Sequence, residues 1–199
     1  KTTIQGYVTA MAGTADFFGF VDSQALYRAY MPSWAFHWGS TRPRVHVGNL
    51  VMRMIDDNLS PEHHAVYLKR ARQHVHWMHG VNALSKVYLT NMREHGAEND
   101  CTEIFHTWFA DGTDWDSSLT SKYGPAPGYV PGGPSLSYVN DGGDATMMPP
   151  AGQPGEKSYA DFNDGARVSW AVTENSITYQ APYVRLLASI IASRTLQLP

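Results

Sequence analysis

The segment from Tyr123 to Gly165 limits what this chain can fold into more than any other. It contains Gly124-Pro-Ala-Pro-Gly128 and then Pro131-Gly-Gly-Pro134. Proline lacks a backbone N–H and clashes with the preceding turn, and glycine loses the most conformational freedom on ordering. Neither a regular helix nor a central strand can run through such a stretch. Gly, Pro, Asn and Asp are dense over the whole of residues 80–171. A long span without regular structure inside a compact chain is uncommon and usually functional. Tyr and Trp punctuate this one, which predicts ordered loops held by aromatic anchors.

On either side of it the pattern is helical. Val47, Leu50, Val51, Met54 and Ile55 recur at the spacing of one buried face and predict a helix over 44–59. Ser60-Pro61 reads as an N-cap and first helical residue, and Leu68, Ala71, Val75 and Met78 carry a second helix over 61–79, stopped by Gly80. A break of about one or two residues between them predicts an antiparallel hairpin. A third helix is expected over 172–193, with Thr173 as N-cap. Ile177, Ala181, Val184, Ala188 and Ile191 form its apolar face, and Pro182 is expected to kink or break it near Thr178. Shorter helices are placed at Gln5–Met11 and Ser23–Ala29, and an aromatic loop at Pro32–Ser40. The expected class is all-α with long ordered loops.

Several functions are excluded by charge and composition. Fifteen Lys and Arg against 18 Asp and Glu leave a net charge of −3, which is no footprint for nucleic acid. No apolar run approaches the ~20 residues of a membrane helix; the richest, Val184 to Ala192, contains Arg185. Aromatic residues at 12% exclude a disordered chain. The single Cys101 cannot form an internal disulfide. The chain begins at Lys1 without Met, so it is expected to be a processed or partial chain.

Nine histidines invite a metal reading, and His76 and His79 share a helix face. No HExxH and no Cys/His cluster accompanies them, so no catalytic metal is expected. The loop Asp111-Gly-Thr-Asp114-Trp-Asp116 offers oxygen ligands that calcium accepts, although it lacks the EF-hand glutamate, and turn chemistry explains Asp beside Gly equally well. Calcium is therefore carried only as a structural ion. Glu174 stands at the start of the last predicted helix, where an acid commonly just complements the helix dipole. His106 lies among aromatics in Glu103-Ile-Phe-His106-Thr-Trp-Phe109, a setting equally typical of a core histidine. Six Trp and 11 Tyr, concentrated in loops, suit a cleft for sugar rings as well as a packed loop region.

Taken in order, these segments resemble glycoside hydrolase family nine, the cellulases built on paired α-helices. Tyr27-Arg-Ala-Tyr30 and Phe36-His-Trp-Gly-Ser40 are similar to the family's tyrosine-tryptophan-glycine-serine segment. His79-Gly-Val-Asn82 and Val87-Tyr-Leu-Thr-Asn91 resemble the two segments that follow its next helix. Gly96-Ala-Glu-Asn99 and Glu103-Ile-Phe-His106 stand where the family places its substrate-binding histidine. Gly128-Tyr-Val-Pro-Gly-Gly-Pro134 is similar to its glycine-glycine-proline loop. Lys157-Ser-Tyr159 and Trp170-Ala-Val-Thr-Glu174-Asn175, leading into Ile177-Thr-Tyr179-Gln-Ala181, resemble the surroundings of its general acid. The likeness covers about residues 25–192.

The resemblance implies an (α/α)6 barrel and inverting hydrolysis of β-1,4-glucosidic bonds in cellulose or related β-glucans, outside the cell. It makes Glu174 the general acid, His106 a ligand of a glucose hydroxyl, and Tyr179 a residue that positions substrate or water. Trp38, Tyr88 and Trp108 become candidate sugar platforms by location. In an inverting site two carboxyls stand roughly 6.5–9.5 Å apart, so that water fits between base and sugar. The sequence departs from the family in four places. Ala83 replaces a usual proline, and Thr107 follows His106 where many members continue to an arginine, which leaves Arg93 as the candidate charge. Pro182 replaces a residue the family keeps helical. The aspartate-alanine-glycine-aspartate motif that supplies the base is absent, Asp56-Asp57 being no match. Residues 1–199 are accordingly expected to be the C-terminal part of one catalytic domain, whose partners are a β-glucan or cello-oligosaccharide and the N-terminal half of the same domain. Two other readings are a non-catalytic carbohydrate-binding or structural fragment, and a histidine-dependent metal hydrolase.

Overall fold

Helix α1 runs over Thr41–Asp56. It begins ahead of the predicted 44 because Pro43 falls in its first turn, where a missing N–H costs nothing. Val47, Val51 and Met54 of the predicted stripe are buried, whereas Leu50 and Ile55 lie half-buried at its edges. The structure, a computed structural model, describes residues 25–195 together with Gly6. The helix expected at Gln5–Met11 lies outside that range, apart from Gly6. Of Ser23–Ala29, residues 25–29 form a turn with Arg28 at φ 58°, not a helix.

Helix α2 follows at His64–Met78. Leu68, Ala71, Val75 and Met78 are all buried, as their spacing predicts. The connection is longer than expected. Residues 57–63 carry a left-handed Asn58, Leu59 bonded back to the Met54 carbonyl at 2.8 Å, and a 3-10 turn at Pro61–His63. Ser60 does not cap: it sits at φ 44° and makes no capping bond. α2 ends before Gly80, whose φ of +103° favours glycine.

The predicted third helix is two pieces. A single turn, α3 (Trp170–Thr173), precedes α4 (Ile177–Thr195). Thr173 is no N-cap; it closes α3, and its hydroxyl donates to the Phe162 and Ser169 carbonyls. Ser176 starts α4, accepting from Thr178 N through its hydroxyl and from Tyr179 N through its carbonyl. α4 continues through Pro182. The carbonyl its ring crowds belongs to Thr178, in the first turn, where the ladder has only begun. The break predicted near Thr178 falls instead at residues 174–176.

The predicted apolar face of α4 is the wrong one for this chain's core. Ile177, Ala181, Val184, Ala188 and Ile191 are all exposed, Ile177 by 83% and Ile191 by 63%. The helix buries Tyr179, Tyr183, Leu186 and Ile190 instead. This face meets α1 at Gly48, where a Cβ would stand 2.6 Å from Leu186 Cδ2 and 3.4 Å from His74 Cβ. Only a bare Cα lets the three helices converge there.

Arg44 is fully buried at the centre, over the Trp77 ring at 3.6 Å, with Nη2 donating to Glu156 Oε1 at 2.9 Å. Trp77 Nε1 donates to the other oxygen of Glu156. Burial lowers the Arg44 pKa, and the Glu156 charge opposes that. Beyond α2, β1 (Val87–Thr90) pairs in parallel with β2 (Asp100–Cys101), with Val87 opposite Asp100. No helix of the described residues is long and apolar enough to cross a membrane.

Candidate functional site

Three segments far apart in sequence are tied into one knot, and Glu174 projects from it. The Thr41 amide at the start of α1 donates to the Gly132 carbonyl at 3.0 Å, and the Thr41 hydroxyl to the Pro131 carbonyl at 2.8 Å. Gly133 N donates to the Val172 carbonyl at 2.8 Å, and Pro131 bridges Asn175. A Cβ on Gly132 would stand 3.2 Å from the Val172 carbonyl oxygen and 3.5 Å from Gly39 N. The glycines of the Pro131–Pro134 loop are thus spacers between the α1 entry and the α3–α4 junction. The His106 segment joins through Phe105 N, which donates to the Thr173 carbonyl at 3.3 Å.

Glu174 lies just after α3, in extended backbone (φ −62°, ψ 136°), and not at the helix start assigned from sequence. It is half-buried. The Trp38 indole Nε1 donates to its Oε2 at 2.6 Å. The Trp38 ring meets Tyr179 edge-on, with centroids 5.9 Å apart. Tyr179 is 1% exposed, and its hydroxyl has no hydrogen-bond partner among the described residues. Burial, and then the nearby Glu174 charge, push the Tyr179 phenol up, with Arg42 opposing. Glu174, Trp38 and Tyr179 therefore form one group.

Two grooves flank this group. One, of about 630 Å³, runs between α1 and α4 and is lined by Trp34, Trp38, Arg42, His46, Tyr179 and Arg185. Burial first, then Arg42 and Arg185, push the His46 imidazole below its ordinary range. The other, of about 590 Å³, is walled by aromatic residues, with His106, Trp108, Trp115, Tyr123 and Tyr129 around it and Asn175 at its edge. His106 is exposed at this second groove, tilted against Phe109, so it is not a core histidine. Trp108 is 76% exposed beside it.

Tyr88 is a correction. It is fully buried, stacked on Trp77 at 4.8 Å and edge-on to Tyr159, so no sugar can reach it. Its place on β1 turns it inward onto α2. Burial pushes its phenol well above the ordinary value. Sequence reading missed Trp115 and Tyr123, which stack on each other at 5.6 Å across the loop and wall the second groove. The signal was present: both aromatics lie in the same Gly/Asp-rich loop as the predicted calcium ligands.

Among the described residues no group of three or more His, Cys, Asp or Glu side chains could hold a metal ion. In the acidic loop Asp116 Oδ2 accepts from Gly112 N, the turn chemistry that places Asp beside Gly. Of the histidines suited to a metal hydrolase, His79 is bonded to the Tyr183 hydroxyl at 2.7 Å, and His74 is buried in the core.

A sequence model of the family described as Glycosyl hydrolase family 9 matches residues 1–187. A comparison with curated protein sequences finds no match. Solved structures with the same fold include a Bacteroides ovatus GH9 protein (20% identity, TM-score 0.65, 95% of this chain and 27% of that one). AaCel9A in complex with cellobiose-like isofagomine is another (18% identity, TM-score 0.70, 96% and 31%). A third is the GH family 9 endoglucanase J30 (22% identity, TM-score 0.65, 96% and 31%). The chain spans about 30% of the length of these structures.

Proposed function

The chain belongs to glycosyl hydrolase family 9, and from that premise we propose that it forms part of the catalytic centre of an enzyme that hydrolyses β-1,4-glucosidic bonds in cellulose or related β-glucans. The observation that carries this reading is the placement of Glu174. Its carboxyl accepts from Trp38, which with Tyr179 lines one groove, and the next residue, Asn175, lines the groove walled by aromatic rings. Aromatic faces stack on the apolar faces of pyranose rings, and a carboxyl joined to both walls is suited to meet a glycosidic bond. A relative of the same fold was crystallised with a cellobiose-like inhibitor.

Glu174 acts as the general acid. Its proton passes to the glycosidic oxygen as the C1–O bond breaks, and the bond's electron pair stays with that oxygen. Water adds to C1 from the opposite face and gives its proton to a carboxylate, with inversion. His106 binds a sugar hydroxyl, and Tyr179, whose buried hydroxyl has no hydrogen-bond partner among the described residues, helps to position substrate or the attacking water. Trp108, with Trp115 and Tyr123, supplies the stacking platform.

Residues 1–199 are, in this reading, the C-terminal part of one catalytic domain, and α1, α2 and α4 are three helices of its (α/α)6 barrel. The N-terminal half covers the exposed face of α4 and brings the water-activating aspartate. No cofactor takes part in this chemistry. The enzyme acts outside the cell, where its polymeric substrate is.

The test is Glu174→Gln in the protein that contains the whole domain. Loss of general-acid catalysis costs about 10² to 10⁴ in rate, so hydrolysis of cellotetraose should nearly vanish while oligosaccharide binding persists. Near-normal turnover removes Glu174 from the chemistry. Binding without turnover in the unaltered protein leaves a carbohydrate-binding role only.

A further inference from the structure

We propose that Trp38 is a positioning residue for Glu174, acting through its indole N–H and not only as a sugar platform. This rests on the reading of Glu174 as the acid. The donor–acceptor distance is 2.6 Å, short for a nitrogen donor, and the two residues are 136 apart in sequence. The alignment is built in from several sides. Trp38 sits in the turn just before α1, anchored one residue later by Gly39 and then by Thr41, whose amide donates to the Gly132 carbonyl. The Trp38 ring rests edge-on against Tyr179, itself buried on α4. Glu174 is fixed by its own amide, which donates to the Trp170 carbonyl, and by the bridge between Asn175 and Pro131. Both ends of the hydrogen bond are thus fastened to the same loop, residues 131–133.

The bond divides the work of the two carboxyl oxygens. Oε2 accepts from the indole, which leaves Oε1 to carry the proton and face the glycosidic oxygen. When Oε1 gives up its proton, the N–H is already in place for the carboxylate that forms. A donor fixed where charge develops stabilises the transition state without reorganising. A hydrogen bond to a charged group is about twice as strong as one between neutral groups. Trp38 therefore assists the chemical step more than it assists binding.

Trp38→Phe tests this, since it keeps an aromatic ring at this position and removes the indole donor. Two substrates are compared in the full enzyme: cellotetraose, whose leaving sugar needs a proton, and dinitrophenyl β-cellobioside, whose leaving group needs almost none. The expected result is a fall in kcat of about 10- to 100-fold on cellotetraose with KM little changed. On the dinitrophenyl substrate the fall should be less than about threefold. Equal losses on both substrates, or a rise in KM alone, overturn the proposal and leave Trp38 as a packing or stacking residue.

A second measurement does not depend on catalysis. In the full enzyme the Trp38 indole N–H resonance should lie downfield and move upfield in Glu174→Ala, which leaves no acceptor, whereas the other indole signals stay in place. An unmoved Trp38 signal overturns the hydrogen bond itself. If that signal moves but Glu174→Gln keeps its turnover, the contact stands, and the reading of Glu174 as acid falls together with the catalytic part of the proposal.

Discussion

A Cβ placed on Gly39 would lie 2.5 Å from the Tyr179 hydroxyl and 2.8 Å from its ring, so the turn before α1 and the first turn of α4 touch through a bare Cα. Gly39 also sits at φ +78°, where an L side chain is strained. Both demands fall on one residue, directly between Trp38 and the entry to α1.

Gly39→Ala should therefore displace Tyr179, and with it the edge-on contact to Trp38. Left-handed strain alone costs roughly 1–2 kcal/mol, visible as a lower denaturant midpoint. The overlap should add to that cost and depress activity further. Making the same change in a Tyr179→Ala background separates the two terms, because only the strain remains there. Equal costs in both backgrounds would show that the close approach carries no energy.

His106→Ala should leave the melting temperature unchanged, since the side chain is exposed and makes only a tilted contact with Phe109. Cello-oligosaccharide binding should weaken by about 0.5–1.5 kcal/mol, the net worth of one neutral hydrogen bond. Titration calorimetry beside a thermal melt reads both. A collapse of the melt with binding intact would return His106 to a structural role.

His74 gives the fold a pH dependence of known sign. Burial first, and then the Arg44 and Arg70 charges, push its pKa down from 6.5 to about 3. Between these values the unfolded chain binds a proton that the folded chain refuses, so stability rises with pH across that window and is lost as pH falls. The slope approaches about 1.4 kcal/mol per pH unit well below pH 6. His74→Leu should flatten the dependence of the urea midpoint on pH between 6 and 4. An unchanged slope would place the acid sensitivity elsewhere.

The exposed stripe of α4 leads to an expectation about the isolated chain. Ile177, Val184 and Ile191 are more than half exposed on one face, and a contiguous apolar patch of that kind normally marks an interface. The 199 residues alone should bind an apolar dye such as ANS and should not hydrolyse a soluble β-glucan. Adding the N-terminal half of the domain should suppress the dye signal and restore turnover. Robust turnover by the chain alone, abolished by Glu174→Gln, would instead place the base within these residues. The exposed Asp111 and Asp114 would then be the first to test.

Much of this was legible in the residues because it is local. The stripe of α2 from Leu68 to Met78 needed only helical spacing. The Pro131–Pro134 loop excluded regular structure from its own composition, and the segments around His106 and Glu174 could be recognised in order. Each of these rests on neighbours within a few positions. Helix boundaries were less certain for the same reason: the stop of α1 depends on Asn58 turning left-handed, and Ser60 has a capping residue's identity without its backbone conformation.

What the amino-acid sequence determined by itself was where helices can form, where they cannot, and which apolar residues share a face. Tertiary structure alone decided which face meets which neighbour. α4 carries two apolar stripes, and periodicity weighs them equally; the approach of α1 at Gly48 selects the one with Leu186 and leaves Ile177 and Ile191 outside. Tyr88 stands on a short strand buried on both faces, and the stacking of Trp77 makes it core and not a surface platform. Trp38 and Glu174 are 136 residues apart, and no spacing rule reaches that far. Their hydrogen bond exists because the backbone of residues 131–133 must satisfy its own donors and acceptors, and does so by binding the two segments that carry them.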